Sequence, residues 1–149
     1  MRRPARSGGF TFLEVMVVVA ILVVSAALVL PSIGQGTAAL RLRAEARSVV
    51  ALLRQARQLA VSQRRPHTVA VDPLGRAVVV RRDDAEAPVS RLLLPGVVRL
   101  RAEEGETSLT FTPRGMARET VWVLEGPEGR GYRIRVEAVT GRVSLRREV

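Results

Sequence analysis

Apolar positions along the chain fall into three regimes. The first is a continuous run. Of the 21 residues 10–30, only Thr11, Glu14 and Ser25 are not apolar. As a helix, such a run is about 30 Å long, close to the hydrocarbon thickness of a bilayer. Pro31 follows, with Gly34 and Gly36 close behind. Proline removes a helical hydrogen bond, so a kink is expected there. The second regime has a helical period and resumes near Thr37. Leu42, Ala46, Val49, Leu53, Ala56 and Ala60 are spaced 4, 3, 4, 3 and 4 apart and form one narrow stripe. Arg43, Arg47 and Arg54 lie on the opposite side, so the segment reads as an amphipathic helix laid on a sheet. Arg64, Arg65 and Pro66 end it.

The third regime begins at His67. Short runs rich in Val, Leu and Ile are broken by turn residues. The pattern predicts strands over 67–72, 76–82, 89–94, 97–102, 107–112, 120–125, 132–138 and 142–147. Pro73-Leu74-Gly75, Pro95-Gly96 and Pro113-Arg114-Gly115 punctuate them. In Val98-Arg99-Leu100-Arg101 and Arg133-Ile134-Arg135-Val136 the aliphatic residues face inward and the arginines face water. Trp122 lies in an unbroken apolar run, and alternation does not assign its face. The expected fold is α+β. A long N-terminal helix, half transmembrane and half amphipathic, packs on an antiparallel domain of about eight short strands in two sheets. The expected divisions are a leader at 1–9, an assembly helix at 10–36, an amphipathic helix at 37–65 and a β-rich domain at 66–149.

Composition narrows the function. There is no cysteine, which excludes disulfides and thiolate sites. The formal charge is +10, and all 24 basic residues are arginine; Lys and Asn are absent. A codon bias toward GC accounts for that choice. A surface selected for DNA or an anionic membrane is the functional counterpart. Arg2, Arg3 and Arg6 fall in the expected leader, and without them the charge is +7. The same arginines should stay cytoplasmic, which places the C-terminal part outside.

Glu14 decides how the first segment is read. A secretory signal, with Ser25-Ala26-Ala27 as a cleavage region, or a plain anchor explains the apolar run but leaves a carboxylate inside it unexplained. Such a carboxylate costs a few kcal/mol unless paired. Gly9-Phe10-Thr11-Phe12-Leu13-Glu14 resembles the cleavage and methylation motif of type IV prepilins. The resemblance implies that a prepilin peptidase cuts between Gly9 and Phe10 and that Phe10 is N-methylated. It also implies that Glu14 meets the N-terminal amine of a neighbouring subunit, where two buried charges neutralise each other.

The rest of the chain is similar to the GspH/FimT family. The likeness rests on Leu109-Thr110-Phe111-Thr112-Pro113-Arg114-Gly115, an F-x-P-x-G turn, and on Val139-Thr140-Gly141-Arg142-Val143, the final hairpin. It implies a minor pseudopilin of a type II secretion system, anchored in the bacterial inner membrane with its globular part in the periplasm. The implied partners are the peptidase, membrane lipid and other pilin or pseudopilin subunits. The alternative within the family is a FimT-type minor type IV pilin acting in pilus assembly or DNA uptake. There a Gly-Arg-x-Arg element is implicated in nucleic-acid contact. Here the stretch is Gly141-Arg142-Val143-Ser144, so the second arginine is missing, although Arg146 and Arg147 follow. Arg142, Arg146 and Arg147, with Arg133 and Arg135, are the candidate cationic strip.

The sequence offers no catalytic set, metal site or cofactor motif. His67 is the single histidine. Asp83-Asp84 with Glu86, and Glu103-Glu104-Gly105-Glu106, read as solvated loops. The expectation is a structural protein with no reaction of its own.

Overall fold

The computed structural model describes residues 10–85, 87–104 and 106–148. The expected leader, with Arg2, Arg3, Arg6 and Gly9, lies outside these, as do Glu86 and Gly105. The side chains of residues 27–37, which include Pro31, are outside the described set as well. The chain divides into two compact units between Thr37 and Ala38.

One helix, α1 (Phe12–Gln63), is assigned without a gap through Pro31. It closes on a Schellman turn. The Arg65 N–H donates to the Ala60 carbonyl, the Arg64 N–H donates to Val61, and Arg64 takes a left-handed φ of 52°. Pro66 then prevents any continuation.

Eight strands follow among the described residues: β1 (His67–Val71), β2 (Ala77–Arg82), β3 (Ser90–Leu93), β4 (Arg99–Glu104), β5 (Ser108–Phe111), β6 (Thr120–Glu125), β7 (Gly131–Val136) and β8 (Val143–Glu148). They form two antiparallel four-stranded sheets, ordered β3-β2-β1-β5 and β4-β6-β7-β8. The α+β reading with two sheets is borne out. Pro95-Gly96 is a crossover, because β3 and β4 belong to different sheets. Glu103 and Glu104 are corrected from loop to strand. They extend β4 past a register shift after Ala102, and Glu103 gains Arg133 as a partner.

The predicted stripe on α1 is the core. Leu42, Ala46, Val49, Leu53, Ala56 and Ala60 are all buried, and Val50 and Leu52 widen the stripe. They join Val69, Val78, Val80, Leu109 and Phe111 of the first sheet to Leu100, Trp122, Leu124, Ile134 and Val136 of the second. The alanines at 46, 56 and 60 bring the helix axis close to both sheets. Trp122 is 1% exposed, and its indole N–H donates to the Glu106 carbonyl at 3.0 Å. The indole therefore needs no water.

Candidate functional site

In the N-terminal unit, Phe10 precedes the helix and is exposed. Thr11 caps α1. Its side-chain oxygen accepts the Glu14 N–H at 3.2 Å, and its carbonyl accepts the Glu14 and Val15 N–H groups at 3.1 and 3.2 Å. Thr11 and Glu14 thus hold the N-cap and third positions of a Thr-x-x-Glu pattern in which the threonine half of a capping box is formed. This signal stood in the sequence beside the processing motif and was not read from it. Glu14 is exposed in the first turn, where the helix dipole favours a negative charge. Phe12, Leu13, Val15, Val17, Ile21 and Leu22 are all at least half exposed, a continuous apolar surface of the kind that marks a membrane or protein contact. Among the described residues no helix is long and apolar enough to cross a membrane. The apolar run in the sequence continues beyond Ala26, the last of its residues whose side chain is described.

In the C-terminal unit the two motif turns meet. Gly115 ends the Thr112-Pro113-Arg114-Gly115 turn at φ 78°, and Gly141 sits in the β7–β8 turn at φ 60°. A Cβ built on Gly141 would lie 2.0 Å from the Gly115 carbonyl oxygen. Arg57 on α1 closes the junction, its Nε donating to that same oxygen at 3.1 Å. Beside it Arg54 donates from Nη2 to the Val143 carbonyl at 3.3 Å. Arg54, expected only to face water, is exposed and still ties the helix to β8.

The candidate cationic strip is divided by strand geometry. Directly opposed residues share a face, so Arg101, Val123, Arg133 and Arg146 form one rung on the outer face of the second sheet. Arg147 opposes Tyr132 and falls on the other face, in line with Leu100 and Leu124. A one-residue step in a strand reverses the side, which separates Arg146 from Arg147. A hollow on the outer face gathers Arg133, Arg135, Arg142 and Arg146, with Glu137 and Ser144. Arg133 is already held by Glu103 at 2.7 Å and Glu148 at 2.9 Å, and Arg135 faces Glu119 at 3.8 Å. Arg101 pairs with Glu125, whose hydrogen bond and charge push the guanidinium still higher. On the same face Val121 and Val123 are each 1% exposed, with Arg135 opposite Val121 and Arg101 and Arg133 opposite Val123. Most of this face is charge-compensated. Arg142 and Arg146 have no side-chain partner among the described residues.

His67 is fully buried at the start of β1, with Nδ1 3.0 Å from the Arg65 carbonyl. Asp83 accepts from the Thr68 hydroxyl at 2.9 Å, and Asp84 pairs with Arg65 and Arg82. Among the described residues no cluster of His, Asp and Glu could hold a metal.

Desolvation, the largest single influence, pushes the Asp84 carboxyl up, but the Arg82 hydrogen bond and the charges of Arg82 and Arg65 together outweigh it and hold the carboxyl below the ordinary aspartate value. A carboxyl depressed in the folded state stabilises above its unfolded value and loses that contribution as pH falls through the folded value. The denaturation midpoint of Asp84→Asn should therefore lie below the parent's at pH 7. The gap should close as pH drops below about 4. Urea unfolding at a series of pH values checks this.

The sequence matches the family model described as Type II transport protein GspH over residues 45–141, and the prokaryotic N-terminal methylation motif over residues 4–30. No match is found among curated protein sequences. Among solved structures, the fold is similar to the type IV minor pilin FimU of Pseudomonas aeruginosa PAO1. Identity is 22%, coverage is 70% of this chain and 91% of that one, and the TM-score is 0.59. It is also similar to the minor pseudopilin EpsH from the type 2 secretion system of Vibrio cholerae. There identity is 14%, coverage is 70% and 95%, and the TM-score is 0.57.

Proposed function

The chain belongs to the GspH family, and from that premise we propose that it is a minor pseudopilin, one subunit of the short filament of a type II secretion system. The coarser role, a pilin-like structural subunit that associates with others of its kind, follows from the family. The observation that supports a processed, filament-forming subunit is the register of the N-terminus. A GspH-type domain follows an apolar run in which Gly9, Phe10 and Glu14 fall at the prepilin positions. In this reading a prepilin peptidase cuts before Phe10 and methylates it. Residues 10–30 hold the subunit in the inner membrane, with residues 38–149 in the periplasm. Glu14 then compensates a neighbour's N-terminal amine during assembly.

Mass spectrometry of the membrane-extracted chain should show methylated Phe10 as the first residue. A chain that starts at Met1, or near Ala27, would refute the reading. Glu14→Leu should be processed normally and yet enter filaments at least about tenfold less, the loss of roughly one buried charge contact. Unchanged incorporation would remove the role of the charge.

The FimT-type alternative places the same subunit in a type IV pilus and gives it DNA to hold. The neutralised outer face and Ser144 at the second arginine position argue for the secretion reading. Deletion of the gene decides between them: loss of protein export supports the pseudopilus, and loss of piliation or DNA uptake supports the pilus.

A further inference from the structure

We propose that the groove between α1 and the β7–β8 turn is a docking site for an acidic segment of a neighbouring filament subunit. Arg54, Arg57 and Arg142 line it together with Gln58 and Thr140, and no acidic side chain does. Arg142 also borders the adjoining outer-face hollow, where Glu137, which accepts from the Thr140 hydroxyl at 2.8 Å, and the ion-paired Arg133 and Arg135 already balance charge. Two of the three guanidiniums are held in place before any ligand arrives, Arg54 by the Val143 carbonyl and Arg57 by the Gly115 carbonyl. Each of these bonds uses one N–H of a five-donor fork. The remaining donors suit the bidentate geometry of a carboxylate, and little further ordering is required on binding. Arg142 completes the set from the turn. Its own backbone is fixed by the Thr140 hydroxyl, which accepts the Arg142 N–H at 3.1 Å.

The shape of the charge selects the partner. A duplex calls for an extended basic surface, and on the sheet side the basic surface ends where Glu103, Glu119 and Glu148 begin. A single strand calls for aromatic platforms, and no aromatic residue lines the groove. A short acidic peptide needs neither. The inference rests on the filament reading, so the test reads the two separately.

In cells, Arg54→Gln/Arg142→Gln should be cleaved and methylated at Phe10 like the parent, and should enter the filament fraction at least about tenfold less. Normal processing with unchanged incorporation would overturn the groove and leave the filament reading intact. Failure of the parent to be processed would overturn the filament reading itself. With the full chain in detergent at low salt, a labelled glutamate-rich decapeptide should bind the parent and lose at least about tenfold in affinity to the double variant. Arg133→Gln should bind like the parent. Absence of peptide binding, equal binding by the double variant, or tighter binding of a single-stranded oligonucleotide through Arg142 would each sink the proposal. Matching thermal melts of parent and double variant guard against a trivial loss of fold.

Discussion

Gly141→Ala should destabilise the C-terminal domain by about 4 kcal/mol or more, a large share of the 5–15 kcal/mol that holds a typical domain. Two costs combine. The residue sits at φ 60°, where a side chain costs about 1–2 kcal/mol. The new Cβ would also meet the Gly115 carbonyl oxygen at 2.0 Å and Arg57 Nε at 2.9 Å. The first contact sets a Cβ, whose position the backbone fixes, against a backbone oxygen, so a rotamer change cannot relieve it. Relief requires the two turns to part, and that breaks the Arg57 bond to the same oxygen. Gly129→Ala is the matched control. Its φ is 71°, but a Cβ there meets nothing within 4 Å, so it should cost only the conformational term. Denaturant unfolding of the two variants isolates the close approach. Equal losses would show that the turns can separate freely.

Trp122→Ala should cost about 3–5 kcal/mol, the usual range for emptying a buried aromatic site. Trp122 is the largest fully buried side chain among the described residues. It lies opposite Ala102 on β4 and Ile134 on β7, and it belongs to the cluster that includes Val49 and Leu53 of α1. The small residue at 102 leaves the volume that the indole fills. Trp122→Phe keeps most of the packing and removes the bond to the Glu106 carbonyl, so it should cost nearer 1 kcal/mol beyond the lost volume. Far-UV circular dichroism is the proper probe, because Trp122 is the chain's only tryptophan. An alanine variant within 1 kcal/mol of the parent would mean that the sheets close over the gap.

The stripe on α1 was legible because helical burial follows a period that residue type reports directly. Every predicted stripe position is buried. The same logic failed at β6. Val121, Trp122, Val123 and Leu124 are each at most 1% exposed, so alternation vanishes and with it the clue to Trp122. One side of β6 faces the core, and the other is flanked in register by Arg101, Arg133 and Arg135. The basic strip was grouped by nearness in sequence, whereas the pleat sends Arg146 and Arg147 to opposite faces. Glu103 and Glu104 read as loop because acidic residues have low strand propensity; ion pairing across the sheet supplies what propensity lacks. The meeting of Gly115 with Gly141 under Arg57 was beyond any local pattern. It joins three distant segments, and each shows only a turn glycine or a helical arginine by itself. Gly9, Phe10 and Glu14 were legible as a motif, one that the methylation-motif match shares, but the cap at Thr11 was overlooked because Glu14 had a more conspicuous explanation.

That cap bears on the order of events in the proposed processing. A helix closed by its own threonine needs nothing upstream to define where it begins. If the preceding residues are removed as proposed, its first turn should therefore remain unchanged. The cap also keeps Phe10 out of the helix. Thr11 thus acts as a ruler, setting the spacing between the proposed scissile bond and the helical face that carries Glu14.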